Sequence, residues 1–335
     1  MGLAPLTPVK NRHRRAAHHE TMEQSLEWSA REVWVRKLLY PGHTLPTAVA
    51  PAVVAGALAW RDGVFDARAM LGALLAGWLI QLGGVLVDNF ENLMREPDDR
   101  EHPELVHAVE TGRLTLAELR AAIYACYGTA LLAGAYLLNI AGLGVLVIGL
   151  ASIAASWAYS AGPFPIGRHG FADPLFFLFF GVVSVAGIYY VQAAPAFGAS
   201  LSSEIIWEAL PLSVIAFGIP VGALTTNILI IDDIRDREFD VAKGKETIAV
   251  RFGAQWSRRE FAALLAVAYL SPLWFWLHLG FSAWILLPLA SLPYAASTAS
   301  DVFSRDRYEE LLPTTPKMGR LLLEFSALLG IGALL

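Results

Sequence analysis

Charge is scarce in this chain of 335 residues. Only 16% of them are Asp, Glu, Lys or Arg, while 56% are hydrophobic, and a soluble domain carries about 25% charged residues. That deficit excludes an ordinary water-soluble globule. Cysteine is nearly absent as well. Cys126 is the only one, so no intrachain disulfide can form, and its place inside an apolar run reads as a packed membrane thiol. Residues 1–36 have no short apolar core followed by a cleavage site and do not read as a signal peptide. They read instead as a disordered cytoplasmic tail whose Lys10, Arg12, Arg14 and Arg15 lie near anionic lipid. Low-complexity linkers are lacking too, which leaves a single domain over 37–335 and no role in nucleic-acid binding.

What the chain has in abundance is apolar runs near the roughly 20 residues that cross a bilayer. Nine are expected, at about 38–60, 68–92, 118–140, 142–160, 172–194, 206–231, 258–279, 281–300 and 317–335. The fold class is therefore all-α, with nine transmembrane helices in one bundle. With the N-terminus cytoplasmic, 23 of the 25 Lys and Arg residues fall on the cytoplasmic side, and only Arg61 and Arg68 fall outside. Such segregation is what the positive-inside rule demands of a cell-membrane protein. Runs such as "PAVVAGALA" and "GLGVLVIGLASIAAS" are rich in the small residues that let helices approach closely in lipid.

Two polar clusters stand at cytoplasmic span ends, "VDNFENLMREPDDREHPE" and "IDDIRDREFDVAKGKETIAVRFG". Asp88, Asn89, Asn92 and Glu96 match Asp232, Asp233, Asp236 and Asp240 at a constant offset, which marks two pseudo-repeated half-sites. Asp232, Asp236 and Asp240 recur every four residues and share one helix face. Like charges so spaced repel, more so at a membrane boundary. A magnesium ion, which binds through one or two carboxylates and substrate phosphates, would turn that repulsion into coordination. The plainer alternative is an acidic helix end paired with Arg235 and Arg237. Lys243 and Lys245, close beyond, suit the oxygens of a diphosphate. In the first cluster Pro97 disfavours helix at Glu96, so Asp98 or Asp99 is an alternative ligand there. His43, His102, His107 and His169 have no metal-ligand spacing and read as surface or supporting residues.

"HTLPTAVAPAVVAGALA", "DNFENLMREPD", "YSAGPFPIGRHGFADPLFFLFFGVVSVAGIYYVQ" and "NILIIDDIRDREFDVAKGKETIAVRFG" together resemble the UbiA superfamily of intramembrane prenyltransferases. They are most similar to its menaquinone branch, the 1,4-dihydroxy-2-naphthoate polyprenyltransferases. The resemblance implies nine helices around a central cavity open near the cytoplasmic face. It also implies Mg²⁺-dependent transfer of a polyprenyl chain from a prenyl diphosphate to an aromatic acceptor. By position, Asp232, Asp236 and Asp240 are similar to the second-site metal ligands, with Asp236 and Asp240 central to catalysis, and Asp88, Asn92 and Asp98 fall at the first site. Two departures stand out. The family usually has Asn where Asp88 stands and Asp where Asn92 stands, and "YPGHT" replaces the Arg-Pro that opens the first helix. An allylic carbocation needs a dry pocket with an aromatic face beside it, and Tyr159, at the cytoplasmic end of the fourth span, is the candidate. Other acceptors of the same superfamily (4-hydroxybenzoate, homogentisate, a porphyrin or a terpenoid) remain open. So does a lipid-binding or transport protein with degenerate metal sites. The "DG…AR…G…D…D" pattern of CDP-alcohol phosphotransferases does not occur.

Overall fold

The computed structural model describes residues 27–39, 41–96, 102–201 and 204–335. Asp98, Asp99 and the basic cluster Lys10–Arg15 lie outside the described residues, as does the side chain of His43. Among the described residues the secondary structure is entirely helical.

The chain enters through α1 (Ala30–Glu32), which runs on as a π-helical turn over Val33–Leu38. Ser29 and Glu32 form a reciprocal capping box at its start, satisfying two amide donors that a helix N-terminus leaves open. Val33, within the stretch assigned to the tail, is buried, as is Leu38 at the start of the first expected span, so the end of that stretch packs onto the helical body. The following helices are α2 (Pro41–Arg61), α3 (Ala67–Arg95), α4 (Pro103–Glu110), α5 (Leu116–Ala141) and α6 (Leu143–Ser160). Asp66 caps α3 by accepting from the amides of Arg68 and Ala69, both at 2.8 Å. Thr115 and Glu118 make a second capping box on α5. α3 stops at Arg95, and Glu96 leaves the helix at φ −136°, ψ 70°, as expected of a residue that precedes proline.

After a loop come α7 (Ala172–Phe176), a π-helical stretch over Phe177–Val183, and α8 (Ser184–Ala193). α9 (Leu212–Ala242) is the longest helix, and α10 (Ile248–Phe252) and α11 (Ala254–His278) follow it. A 3-10 stretch, Ala283–Ser291, leads into α12 (Leu292–Ser304), and α13 (Tyr308–Leu311) and α14 (Thr314–Leu334) close the chain. Among the described residues, six helical segments are long and apolar enough to cross a membrane: α3, α5, α6, Ala172–Phe197, α9 and α11. Of the nine expected spans, 38–60, 281–300 and 317–335 are not among these six. The sixth, expected at 206–231, is displaced: α9 begins at Leu212 and runs on through Ala242, so the second acidic cluster stands on the membrane helix itself.

α9 is the axis of the molecule. Most of its apolar stretch is buried against other helices, whereas little of that of α6 is fully buried. It packs on α11, on α14 and on the π-helical stretch. Backbone meets backbone there: a Cβ on Gly222 would lie 2.5 Å from the carbonyl oxygen of Phe177, and one on Gly181 only 2.3 Å from the Cα of Gly222. Only glycine permits that approach, which stabilises helix pairs in lipid by dispersion contacts. Phe176, Phe179 and Phe180 of this segment line the same cavity as the aspartates of α9. A second, smaller apolar cluster joins α3, α4 and α5, and Cys126 is buried within it, a packed thiol as its apolar surroundings imply.

Candidate active site

One cavity of about 560 Å³ opens between α3, α6, the π-helical stretch and α9. Its acidic end is lined by Asp88, Asn92, Asp232, Asp233, Asp236 and Asp240, with Lys245 and Arg168 beside them. The two acidic clusters, far apart in sequence, therefore face one space. Apolar and aromatic side chains also line it, Leu175, Phe176, Phe179, Phe180 and Leu229. So do small and polar ones, Thr47, Gln81, Ser152 and Ser156. The π-helical turn redirects the phenylalanines relative to a regular helix, a distortion common at functional sites. Ser184 supports it by donating to the Phe179 carbonyl at 2.6 Å.

In the second half-site Arg235 grips two carboxylates of its own helix. Its Nη1 donates to Asp232 Oδ1, its Nη2 to Asp236 Oδ2, and its Nε to Asp236 Oδ1 at 2.6 Å. Thr315 of α14 adds a hydroxyl to Asp232 Oδ1 at 2.7 Å. Asp240 pairs with Lys245 at 2.8 Å. Asp236 and Asp240 are only 7% and 3% exposed, and burial of such charge requires close compensation. Of the two arginines named as plain partners for the acidic helix, Arg235 takes that part, and Arg237 instead donates to the carbonyl of Ala249 at 2.8 Å.

In the first half-site the carboxylate of Asp88 is held by neutral groups. Asp88 Oδ1 accepts from Ser160 Oγ at 2.6 Å and Oδ2 from Asn92 Nδ2 at 3.2 Å. Asn89 turns back to the Val85 carbonyl. Glu96 has left the helix and forms an ionic knot: Arg168 Nη1 lies 3.1 Å from its Oε1 and Lys243 Nζ 3.2 Å from its Oε2. Arg168 Nη2 also donates to the Lys243 carbonyl at 2.6 Å. The structure thus places Lys243 on Glu96, while Lys245 lines the cavity. Outside the helices, the Arg251 guanidinium bonded to Glu246 holds that carboxyl below its usual range.

Tyr159 lines the same cavity as Asp88, Asp233 and Asp240. Its ring lies 5.5 Å from that of Phe176. Gly167 makes room for it, since a Cβ there would sit 2.9 Å from Tyr159 Cζ. His102 also lines the cavity, 2.8 Å from Lys37. His169 lies against the Pro165 carbonyl and stacks on Phe164.

Among the described residues no three His, Cys, Asp or Glu side chains are already grouped as a metal site. The donor chemistry of the cavity nevertheless suits a hard divalent cation, because its charged acceptors are carboxylate oxygens converging from two helices and no thiol lines it. Sequence reasoning named Asp233 only as a member of the repeat, and passed over Arg168, Gln81 and the phenylalanines of the lining. The lone basic residue in "PIGRHG" was the one available signal for Arg168. The others differ from ordinary helix residues only in which way they face.

Residues 48–314 match the UbiA prenyltransferase family. A 1,4-dihydroxy-2-naphthoate octaprenyltransferase of Mycobacterium tuberculosis is 31% identical over 292 residues, covering 87% of this chain and 93% of that protein. The Escherichia coli protein of the same name is 30% identical over 267 residues, covering 75% and 82%. Among solved structures, a UbiA homologue from Aeropyrum pernix superposes with a TM-score of 0.66 at 18% identity, covering 86% of this chain and 96% of that one. A UbiA homologue from Archaeoglobus fulgidus bound to GPP and Mg²⁺ superposes with a TM-score of 0.56 at 16% identity, covering 87% and 99%. By sequence match and by fold, this chain belongs to the UbiA prenyltransferase family and is a prenyltransferase.

Proposed function

We propose that the chain transfers a polyprenyl group from a prenyl diphosphate to 1,4-dihydroxy-2-naphthoate, with Mg²⁺ held between the two acidic half-sites. The observation that carries this reading is a cavity lined at once by the carboxylates of both clusters, by aromatic rings and by small polar side chains. The curated relatives named for this acceptor support its choice, and the A. fulgidus homologue bound to GPP and Mg²⁺ supports the metal and the diphosphate. Asp232, Asp236 and Asp240 would hold the cation on one side and Asp88, with Asn92, on the other. When bound there, it supplies charge stabilisation to a departing diphosphate. Lys245 and Arg168 neutralise phosphate oxygens from the cavity rim. Lys243 acts through Glu96, tying the loop after α3 to the end of α9.

In the reaction the C1–oxygen bond of the prenyl diphosphate breaks, with its electron pair leaving on the diphosphate. An electron-rich ring carbon of the acceptor forms the new carbon–carbon bond and then loses its proton, or its carboxylate as CO₂. Phe176, Phe179, Phe180 and Tyr159 exclude water and present aromatic faces to the allylic cation. The test is product analysis. Membranes carrying the chain, given geranyl diphosphate, Mg²⁺ and either 1,4-dihydroxy-2-naphthoate or 4-hydroxybenzoate, should yield only the prenylated naphthalene by mass spectrometry. A prenylated hydroxybenzoate with no naphthalene product would overturn the acceptor.

The reading extends to topology: nine spans in the cell membrane, with the N-terminus and both half-sites cytoplasmic, supported by the segregation of basic residues. Single cysteines introduced at Ser200 and Ala242 should be labelled from opposite faces. Labelling of both from one face rejects nine spans.

A further inference from the structure

Gln81 stands on α3, seven residues before Asp88, which is two helical turns and about 10 Å deeper in the cavity. It lines the cavity and is only 9% exposed. Its Nε2 donates to the hydroxyl of Thr47 on α2. That hydroxyl donates in turn to the Thr44 carbonyl at 3.1 Å. A threonine has one hydroxyl proton, and here it is spent on a carbonyl, so Thr47 can only accept from Gln81. The chain Gln81–Thr47–Thr44 therefore fixes the amide with its nitrogen toward α2. Its Oε1 has no hydrogen-bond partner among the described residues. A buried amide oxygen left unmatched is costly, and the space next to this side chain is the substrate cavity.

We infer that Gln81 recognises a hydroxyl group of the aromatic acceptor, its Oε1 accepting the hydroxyl proton, with Thr47 as the residue that orients it. This rests on the reading of the cavity as a prenyl-transfer site. A prenyl tail would be a poor occupant of that spot, because hydrocarbon offers the oxygen nothing. The tail has the apolar rings of Phe176, Phe179 and Phe180, which line the same cavity. The arrangement divides the cavity into three parts: diphosphate at the aspartates, tail along the phenylalanines, and acceptor beneath Gln81. An aromatic ring held there by its far hydroxyl presents its other edge toward the acidic end, where the allylic carbon is released. A site built around a hydrogen bond to a substrate hydroxyl also rejects analogues that lack it.

The experiment compares 1,4-dihydroxy-2-naphthoate with its two mono-O-methyl ethers, using geranyl diphosphate and membranes of the wild type and of Gln81→Met. Methionine keeps the length of the side chain and removes its acceptor. The wild type should prefer the free diol over one of the ethers by about tenfold or more, the scale of one buried hydrogen bond. Gln81→Met should raise KM for the diol about tenfold, erase that preference, and leave KM for geranyl diphosphate unchanged. A wild type that transfers to the diol and both ethers equally well overturns the inference without any variant. So does a Gln81→Met enzyme that keeps the preference, or in which KM for the diphosphate rises as much as that for the diol. A wild type with no transfer to the diol at all would sink the prenyl-transfer reading itself, a result distinct from these.

Discussion

The two half-sites descend from matching sequence patterns yet are built by opposite means. On α9 the aspartates come with their own cation: Arg235 spans Asp232 and Asp236, and Lys245 meets Asp240. On α3 the corresponding carboxylate, Asp88, is met by a serine hydroxyl and an asparagine amide. Dense negative charge at a buried helix end is tolerable only with internal counter-charge, whereas a single carboxylate is satisfied by neutral donors. The difference teaches that carboxylate count alone does not rank the two sides for a cation. A divalent ion on α9 would find more charge but would compete with Arg235 for the same oxygens. On α3 it would find less charge, with Asp88 held by Ser160 and Asn92 and the nearby Arg168 guanidinium bound to Glu96.

The largest effect should come from the richer side. Asp236→Asn should lower the transfer rate at saturating Mg²⁺ by about 10³-fold, at the upper end for loss of one charge-stabilising group, with the folded yield kept because Arg235 retains Asp232. Initial rates in membranes check this. Near wild-type turnover would mean that the α9 carboxylates serve structure alone.

An intermediate effect should appear in stability. Arg235→Gln leaves Asp232 and Asp236 facing each other on one helix face. Without Mg²⁺ the melting temperature of the detergent-solubilised protein should fall, and Mg²⁺ should raise it by more than in the wild type. A ligand at 100 times its Kd stabilises by about 2.7 kcal/mol, so tighter binding is visible in the melting curve. Equal Mg²⁺ shifts in both proteins would show that Arg235 does not compete with the metal.

The smallest effect tests the poorer side. Asn92→Asp puts a second carboxylate one turn from Asp88 and should lower the Mg²⁺ concentration for half-maximal rate about threefold, as expected when an added charge strengthens a partly exposed cation site. The rival is that Asp88 and Asn92 have simply exchanged roles, Asp88 carrying the charge and Asn92 clamping it through the amide contact seen here. Then the midpoint for Asn92→Asp would not move, while Asp88→Asn alone would be inactive. A Mg²⁺ titration of both variants separates the two.

Much of this molecule follows from one-dimensional patterns. The apolar runs, the basic residues between them and the repeat of Asp, Asn and Glu at constant offset define an all-helical membrane bundle with two acidic ends, because bilayer thickness and helical period act on neighbours in the chain. The end of α3 at Arg95 was likewise legible, since Pro97 restricts Glu96 locally. Other features answer to partners distant in sequence. That Lys243 turns to Glu96 while Lys245 faces the cavity depends on where Arg168 arrives from a separate loop. That Arg235 holds two aspartates rather than solvent depends on Thr315 and on the ring of Tyr308, 5.6 Å away. The orientation of Gln81 depends on a hydroxyl in another helix. Local sequence determines helices, caps and charge placement. Which side chain meets which across the cavity was decided only when the helices packed, by the glycine contacts that let α9 approach Phe177–Val183 and by the hydrogen bonds each buried polar group had to find.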